Sequence, residues 1–396
     1  MEGKLTNLLK GAQLGRGQAE VYTNVHIDYA AIAVAGLGPE GEGMDTLEGL
    51  DVCKENIRVA SAVAASKLQN SGVNTILVEG FTNSEAAAEG AALAVWQYQE
   101  FKNKEEQQAN TKLELFESPE GDGFKRGLIK AECQNLARTL EEAPANRLTP
   151  YMFAERAVAA LCSCGVQVNV RDKHWLEEKK MNAFLTMAKG SCQPPLLLEL
   201  GYCAAAPEEK PVLIIGKGLT FDSGGLFTKK CEGMMKHRAD MAAAAVAVGV
   251  FKCAAMLNLP VNIKALLPLA ENLPGGLAVK PGDVVMGLNG KSIRIDHTDA
   301  EGRVIMADPL VFAASYKPCL IITLGTMTDV DKALGSGGAA LFTDSEVVWR
   351  EMHRAGAETG DRVWRFPLWK NYRKKVTGMD IYILFQCEKN YVLLLF

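Results

Sequence analysis

Histidine is scarce in this sequence, with five residues in 396. No two of them form a His-Glu-x-x-His pair, so a zinc site built on paired histidines is not expected. A large basic block is also missing, and the formal net charge is −4. Nucleic acid is therefore not expected to be a partner of this protein.

The ten cysteines follow none of the spacings of a disulfide framework or a zinc knuckle. They are interpreted as reduced thiols, which are typical of a cytosol-like compartment. No secretory signal is expected after Met1, and charged and polar residues at 388–390 interrupt the apolar stretch 381–396. No membrane partner is therefore predicted. The predicted location is cytoplasmic, or mitochondrial if a targeting segment precedes Met1.

Strand and helix patterns alternate along the chain, as expected for an α/β protein. The first part contains predicted strands at 29–35 and 73–78 and predicted helices at 56–68 and 84–99. A long amphipathic helix is predicted at 124–142. The expected architecture is a smaller α/β domain (1–122), a connecting helix (123–143) and a larger α/β domain with a central mixed sheet (144–396).

The larger domain repeats the alternation. It contains predicted helices at 150–162, 175–180 and 239–256 and predicted strands at 166–170, 196–200 and 212–215. Asn289-Gly290 predicts a type I′ hairpin between 284–285 and 293–295. A match to the dinucleotide-binding pattern at 36–41 is interpreted as a turn-rich loop, because Pro39 removes a backbone donor.

Three segments of the larger domain carry charged residues where an apolar core is expected: 215–225 with Lys229, 238–240, and 298–303. Each has an ordinary structural interpretation. Thr298 and Glu301 fit a capping box, Asp240 fits a first-turn acid, and 222–225 fits a loop. All three segments, however, lie at strand ends or strand-to-helix transitions, where open α/β sheets bind ligands.

Carboxylates are what the three segments share. Two adjacent hard or borderline cations need several carboxylate ligands, some of them bridging. Four such residues would balance two divalent ions: Asp222, Asp240, Asp299 and Glu301. Lys229 and Arg303 then remain as positive groups for an oxyanion and a bound anion. Beside a metal, Lys217 would have a lowered pKa and could itself be a ligand.

Residues 297–303 match Asn/His-Thr-Asp-Ala-Glu-Gly-Arg, the signature of the cytosolic leucyl aminopeptidase family. Other motifs similar to the family extend from about Asp51 to about Tyr372, among them Asn135-Leu136-Ala137-Arg138, Lys280-Pro281-Gly282-Asp283 and Glu358-Thr359-Gly360-Asp361-Arg362. The chain thus resembles this family. The resemblance implies a metal-dependent aminopeptidase that acts on peptides with a free amino terminus and assembles as a homohexamer.

The resemblance also implies metal ligands. One metal would be held by Lys217, Asp222, Asp240 and Glu301, and the other by Asp222, Asp299 and Glu301. The family uses zinc, with manganese or magnesium as alternatives at one site. A water that bridges the two metals is the implied nucleophile.

Two further roles follow from the same resemblance. Lys229 would polarise the scissile carbonyl, and Arg303 would anchor a bicarbonate that relays a proton. The free α-amine of the substrate would bind a metal, which limits the reaction to amino-terminal residues.

The sequence departs from the family around the substrate. His237 replaces an apolar residue, and 326–329 differs from the family's Thr-Leu-Thr-Gly loop. Four residues are expected to shape the pocket: His237, Thr326, Met327 and Asp329. The carboxylate of Asp329 predicts a preference for basic or polar amino-terminal residues.

The ends of the chain also differ from the family. The family's amino-terminal domain begins earlier, and the similarity is expected to fade after Tyr372. The tail 381–396 is expected to be unrelated sequence. A catalytically inactive subunit that keeps the fold and the oligomer is therefore the alternative function.

Overall fold

A computed structural model of the chain describes residues 3–10, 12–39, 43–108, 110–117, 121–327, 330–372 and 391–395. The chain divides into two compact units. The first contains Met1–Asn135 and Arg354–Arg362, and the second contains Leu136–His353 and Val363–Phe396. The division falls inside the helix Asp122–Glu142, where the sequence predicts a connecting helix.

The first unit combines helices with short strands. In chain order these are α1 (Lys4–Leu9), β1 (Ala19–Thr23), β2 (Ala31–Ala35), β3 (Met44–Asp45), β4 (Leu50–Asp51), α2 (Val52–Asn70), β5 (Thr75–Val78), α3 (Ser84–Val95), β6 (Lys112–Leu115) and α4 (Asp122–Glu142). β1 pairs antiparallel with β2, and β5 pairs parallel with β6. The unit is therefore α/β, as predicted.

Helices α2 and α3 form the core of this unit. The side chain of Asp51 accepts a hydrogen bond from the N–H of Lys54 and begins α2. A Cβ at Gly90 would collide with the carbonyl oxygen of Arg58, so the glycine lets the two helices pack closely. The predicted helix 84–99 ends earlier, at Val95, whose carbonyl accepts from Gln69 Nε2 over 2.9 Å.

The second unit contains the larger sheet. Its elements, some of which extend into the first unit, are α5 (Pro150–Leu161), β7 (Gln167–Arg171), α6 (Lys173–Glu178), α7 (Asn182–Met187), β8 (Leu196–Cys203), β9 (Val212–Gly216), β10 (Gly218–Asp222), α8 (Ala242–Met256), β11 (Asn262–Asn272), β12 (Asp283–Met286), β13 (Ser292–Ile295), α9 (Glu301–Ala313), β14 (Leu320–Gly325), α10 (Asp331–Leu334), β15 (Ala339–Phe342), α11 (Glu346–Thr359), β16 (Val363–Arg365) and β17 (Tyr391–Leu395). Short 3-10 turns include Met234–Met241 and Thr298–Ala300.

Within the described part of the chain, the sheet has nine strands in the order β16-β15-β17-β14-β9-β11-β8-β7, with β10 paired to β11. It is mixed, because β9, β10 and β14 belong to parallel pairs whereas β8 pairs antiparallel with both of its neighbours. The predicted central mixed sheet is confirmed. Its parallel strands bring their carboxyl ends to one edge, where α/β proteins bind ligands.

The tail of the chain contributes to this sheet. β17 pairs parallel with β14 and antiparallel with β15. The run 391–395, which belongs to the tail expected to be unrelated to the family, thus forms a strand between β14 and β15. That expectation stays a prediction for these residues. Residues 373–390 lie outside the described part of the chain.

The helical run Met234–Met256 is buried in the second unit over 56% of its most apolar window. Among the described residues, it has the length and hydropathy (1.6) of a membrane span. Core helices pass the same test, and α8 packs Ala244, Ala247 and Val248 fully inside the unit.

The predicted hairpin is present, but the prediction of a type I′ turn is wrong. β12 and β13 do pair antiparallel, but Gly287 N donates to Lys291 O, and Gly290 N donates to Gly287 O. Gly290 has φ +75°, whereas Asn289 is not among the residues with positive φ, as a type I′ turn would require. The loop is thus a three-residue one, in which Asp308 Oδ1 accepts from Leu288 N over 2.8 Å.

Candidate active site

The predicted metal ligands meet at the carboxyl edge of the parallel strands. Lys217 lies between β9 and β10, and Asp222 ends β10. Asp240 lies in the 3-10 turn before α8. Asp299 and Glu301 lie where a 3-10 turn leads into α9. Three separate segments of the second unit therefore supply the site, and Lys217 and Asp222 stand at the two ends of β10.

Lys217 is the centre of one half of the site. Its side chain is buried, and Nζ lies 2.8 Å from Glu301 Oε1, 2.9 Å from Asp240 Oδ1 and 2.7 Å from the carbonyl oxygen of Thr326. A Cβ at residue 302 would lie 2.9 Å from this Nζ. Gly302 therefore makes room for the ammonium group directly after Glu301.

Lys229 is the centre of the other half. Its Nζ contacts Asp299 Oδ1 and lies 2.9 Å from Asp222 Oδ2. One carboxylate oxygen each from Asp222, Asp299 and Glu301 lies within 4.8 Å of the others. The spacing of these three carboxylates is compatible with a shared metal ion. Asp240 is connected to them by Lys217, which contacts both Asp240 and Glu301.

Asn272 is a site residue that the sequence analysis missed. It is the Cα partner of Asp222 across β10 and β11 and is 2% exposed. Its Nδ2 donates to Asp222 Oδ1 over 2.8 Å and to the carbonyl oxygen of Thr298 over 3.1 Å. The sequence feature that could have indicated this role is a polar residue at the end of a long apolar strand.

Thr298 does not form the capping box with Glu301 that was the alternative interpretation of their spacing. Its Oγ1 donates to the carbonyl oxygen of Gly224 over 2.7 Å and accepts from the N–H of Phe227 over 2.9 Å. Thr298 therefore holds the 223–229 loop against the turn that carries Asp299. The capping-box interpretation of this pair is therefore wrong, because neither the 3-10 turn nor α9 has a side-chain cap.

The ionisation of the site reflects its burial. Burial raises the pKa of Glu301 and raises that of Asp240 to about 7, although the nearby Lys217 acts in the opposite direction. Burial lowers the pKa of Lys217, but Asp240 and Glu301 outweigh it and the net change is upward. The lowered pKa expected for Lys217 beside a cation stays a prediction for the metal-bound protein.

The site contains more negative than positive charge. Four carboxylates contact two ammonium groups, a formal excess of two negative charges. Among the described residues, the buried Oε2 of Glu301 has no hydrogen-bond partner. An unpartnered buried carboxylate oxygen is costly, and divalent cations prefer oxygen ligands of this kind. The residues present therefore fit divalent cations.

Comparison with known proteins identifies the family of the chain. The profile of the cytosol aminopeptidase family, catalytic domain, matches residues 135–386. The profile of the same family's N-terminal domain matches residues 1–105. The chain belongs to the cytosol aminopeptidase family. The match extends beyond the range of about 51 to 372 that the motifs suggested, so the expectation that similarity fades after Tyr372 is wrong up to residue 386.

Curated members of the family resemble the chain along most of its length. The cytosol aminopeptidase of Xenopus tropicalis is 43% identical over 381 residues, which are 95% of this chain and 73% of that protein. The human cytosol aminopeptidase is 41% identical over 387 residues, 96% of this chain and 74% of that protein. The prediction of a leucyl-type aminopeptidase is confirmed at the level of the family.

A solved structure supports the same assignment. The bottromycin maturation enzyme BotP, in complex with Mn, superposes on the chain with a TM-score of 0.86 at 28% identity. The match covers 100% of this chain and 89% of that one.

Two of the remaining predicted residues, Thr326 and Arg303, form hydrogen bonds beside the carboxylates. Thr326 donates through Oγ1 to Asp240, and Arg303 Nη2 donates to the carbonyl oxygen of Met327 over 3.2 Å. His237 is partly buried, and both burial and Lys229 lower its pKa. Asp329 lies outside the described residues.

Proposed function

We propose that this protein releases amino-terminal residues from peptides by hydrolysis at a site for two divalent cations. The observation that carries the proposal is the buried excess of carboxylate around Lys217 and Lys229 in a cytosol aminopeptidase fold. The proposed ligands are Lys217, Asp222, Asp240, Asp299 and Glu301.

The proposed cations are zinc, with manganese or magnesium at one position. BotP is described in complex with Mn, which supports manganese as the first ion to test. Divalent cations at such a site would lower the pKa of water and polarise a carbonyl oxygen. By resemblance to the family, Asp222 and Glu301 are the proposed shared ligands, and one carboxylate oxygen of each lies within 4.8 Å of the other.

Lys229 is proposed to act on the scissile carbonyl. Burial lowers the pKa of its ammonium group, but the hydrogen bond to Asp299 and the charge of Asp222 raise it above its ordinary value. In the metal-free protein, the group is therefore a cation at neutral pH. Its side chain is 18% exposed, so the ammonium group can donate to a substrate oxygen as negative charge develops there.

Arg303 is proposed to hold a bicarbonate. Its guanidinium has five N–H donors in a planar fork that matches a carboxylate-like anion. The hydrogen bond from Nη2 to Met327 fixes one side of the group beside the site. A bicarbonate held there would accept a proton and pass it to the leaving amine.

The cellular context is proposed from the relatives. Proteins named cytosol aminopeptidase match 95–96% of the chain, which supports a cytosolic location. A homohexamer, and the absence of nucleic-acid and membrane partners, remain predictions from the sequence.

A pair of dipeptides that differ only at the amino terminus tests the proposed reaction. With Mn²⁺, we expect release of the first residue from a peptide with a free α-amine and no release from its N-acetylated form. Equal cleavage of both peptides would contradict the proposal. Failure to release any residue from a broad panel, with metal bound, would favour the inactive structural subunit.

A further inference from the structure

The buried amide of Asn272 connects two segments of the proposed metal site. One amide nitrogen donates both to Asp222 Oδ1 and to the carbonyl oxygen of Thr298, over 2.8 and 3.1 Å. Asp222 is a proposed shared ligand, and Thr298 directly precedes the proposed ligand Asp299. A single side chain thus fixes one carboxylate and the backbone that carries another.

Thr298 extends this connection to a third segment. Its hydroxyl donates to Gly224 and accepts from Phe227, at the two sides of the loop that leads to Lys229. Asp222 Oδ1 also accepts from the N–H of Gly224 over 2.9 Å. We name Asn272 and Thr298, with these hydrogen bonds, the Asn272–Thr298 strap.

Gly225 shows how closely the strap is packed. Its φ is +65°, and a Cβ there would lie 2.9 Å from Asn272 Oδ1 and 3.2 Å from Thr298 Oγ1. A side chain at this position would push against both members of the strap at once. The backbone conformation also disfavours any residue other than glycine.

The chemistry of an amide suits this position. Oδ1 of Asp222 is engaged by Asn272 and Gly224, which leaves Oδ2 directed to Lys229. An amide supplies two N–H groups without positive charge, so it orients a carboxylate without repelling a cation. A lysine or arginine in its place would add a charge that competes with the metals.

We propose that Asn272 is a positioning residue, which sets the metal affinity of the site through Asp222 and the Asp299 turn. The proposal rests on the proposed function, because it presupposes that these carboxylates bind cations. Groups that orient metal ligands in this way typically contribute about 10- to 100-fold to metal affinity or activity.

The first test compares Asn272→Ala with Asn262→Ala. Asn262 lies at the other end of β11 and also bonds backbone groups, namely those of Ala205, Ala206 and Glu209. Mn²⁺ affinity is measured by calorimetry on metal-free proteins, at a temperature below the melting points of both variants. We expect about 10- to 100-fold weaker binding for Asn272→Ala and wild-type binding for Asn262→Ala.

A second pair leaves the amide in place. Gly225→Ala should displace the strap and weaken Mn²⁺ binding in the same way. Gly233→Ala is the matched control, because Gly233 also has a positive φ, of +79°, but its Cβ would meet nothing within 4 Å. If Asn272→Ala does not fold, this pair decides the question.

The outcomes separate the strap from the proposed function. If the unsubstituted protein binds Mn²⁺ and Asn272→Ala or Gly225→Ala binds it with the same affinity, the strap alone is overturned. Equal losses in the variants and their controls would overturn it too, since they would indicate a general loss of stability. A wild-type protein that binds no Mn²⁺ would overturn the proposed function and the strap together.

Discussion

The ammonium group of Lys217 and the carboxylate of Glu301 lie 2.8 Å apart, although 84 residues separate them in the chain. Both side chains are almost fully buried. A buried ion pair is tolerated when further hydrogen bonds satisfy its members, and Lys217 meets that condition through Asp240 and Thr326. This contact joins β9 to the start of α9 and defines the centre of the site.

Removing this ammonium group should destabilise the metal-free protein. In Lys217→Ala, the carboxylates of Asp240 and Glu301 would remain buried together without a cation. The expected loss in the free energy of unfolding is about 3–5 kcal/mol, measured by urea unfolding in the presence of a chelator. Lys280→Ala, which removes an exposed ion pair with Asp283, should change stability by less than about 1 kcal/mol. Equal effects of the two substitutions would contradict this assignment.

Lys229→Ala should separate catalysis from metal binding. Because Lys229 is not among the proposed ligands, the variant should keep its metal content. Its turnover should fall by about 10²- to 10³-fold, as is typical when an oxyanion donor is lost. Metal analysis and steady-state kinetics on the same preparation measure both quantities. A loss of metal equal to that of a ligand variant would show that Lys229 is misassigned.

Substrate preference should depend on Asp329. A carboxylate of residue 329 that lined the pocket would need a positive partner. His237 is not expected to supply that charge, since burial and Lys229 lower its pKa, so the substrate would have to supply it. We expect release of arginine and lysine to exceed that of leucine from otherwise identical dipeptides, and Asp329→Gly to favour leucine. A strong leucine preference in the unsubstituted protein would refute the role of Asp329.

The sequence could predict the carboxylates of the site but not the contacts that arrange them. Asp222, Asp240, Asp299 and Glu301 stand out because charge at strand ends is unusual in an apolar domain. Asn272 carries no charge, and its importance depends on its register with Asp222, which only the folded sheet defines.

Local patterns failed where tertiary contacts decide the backbone. Asn289-Gly290 favours a type I′ turn, yet Asp308 holds Leu288 in a longer loop. Thr298 and Glu301 have the spacing of a capping box, yet the Thr298 hydroxyl bonds Gly224 and Phe227 instead. In each case the competing partner is distant in sequence.

The most direct test of the account is a calorimetric titration of metal-free protein with Mn²⁺, for the unsubstituted chain and for Glu301→Ala. Since Glu301 is proposed to bind both cations, we predict two ions per chain for the unsubstituted protein and the loss of both tight sites in the variant. A ratio near zero in the unsubstituted protein, or two ions retained in Glu301→Ala, would contradict a dinuclear site built on this carboxylate.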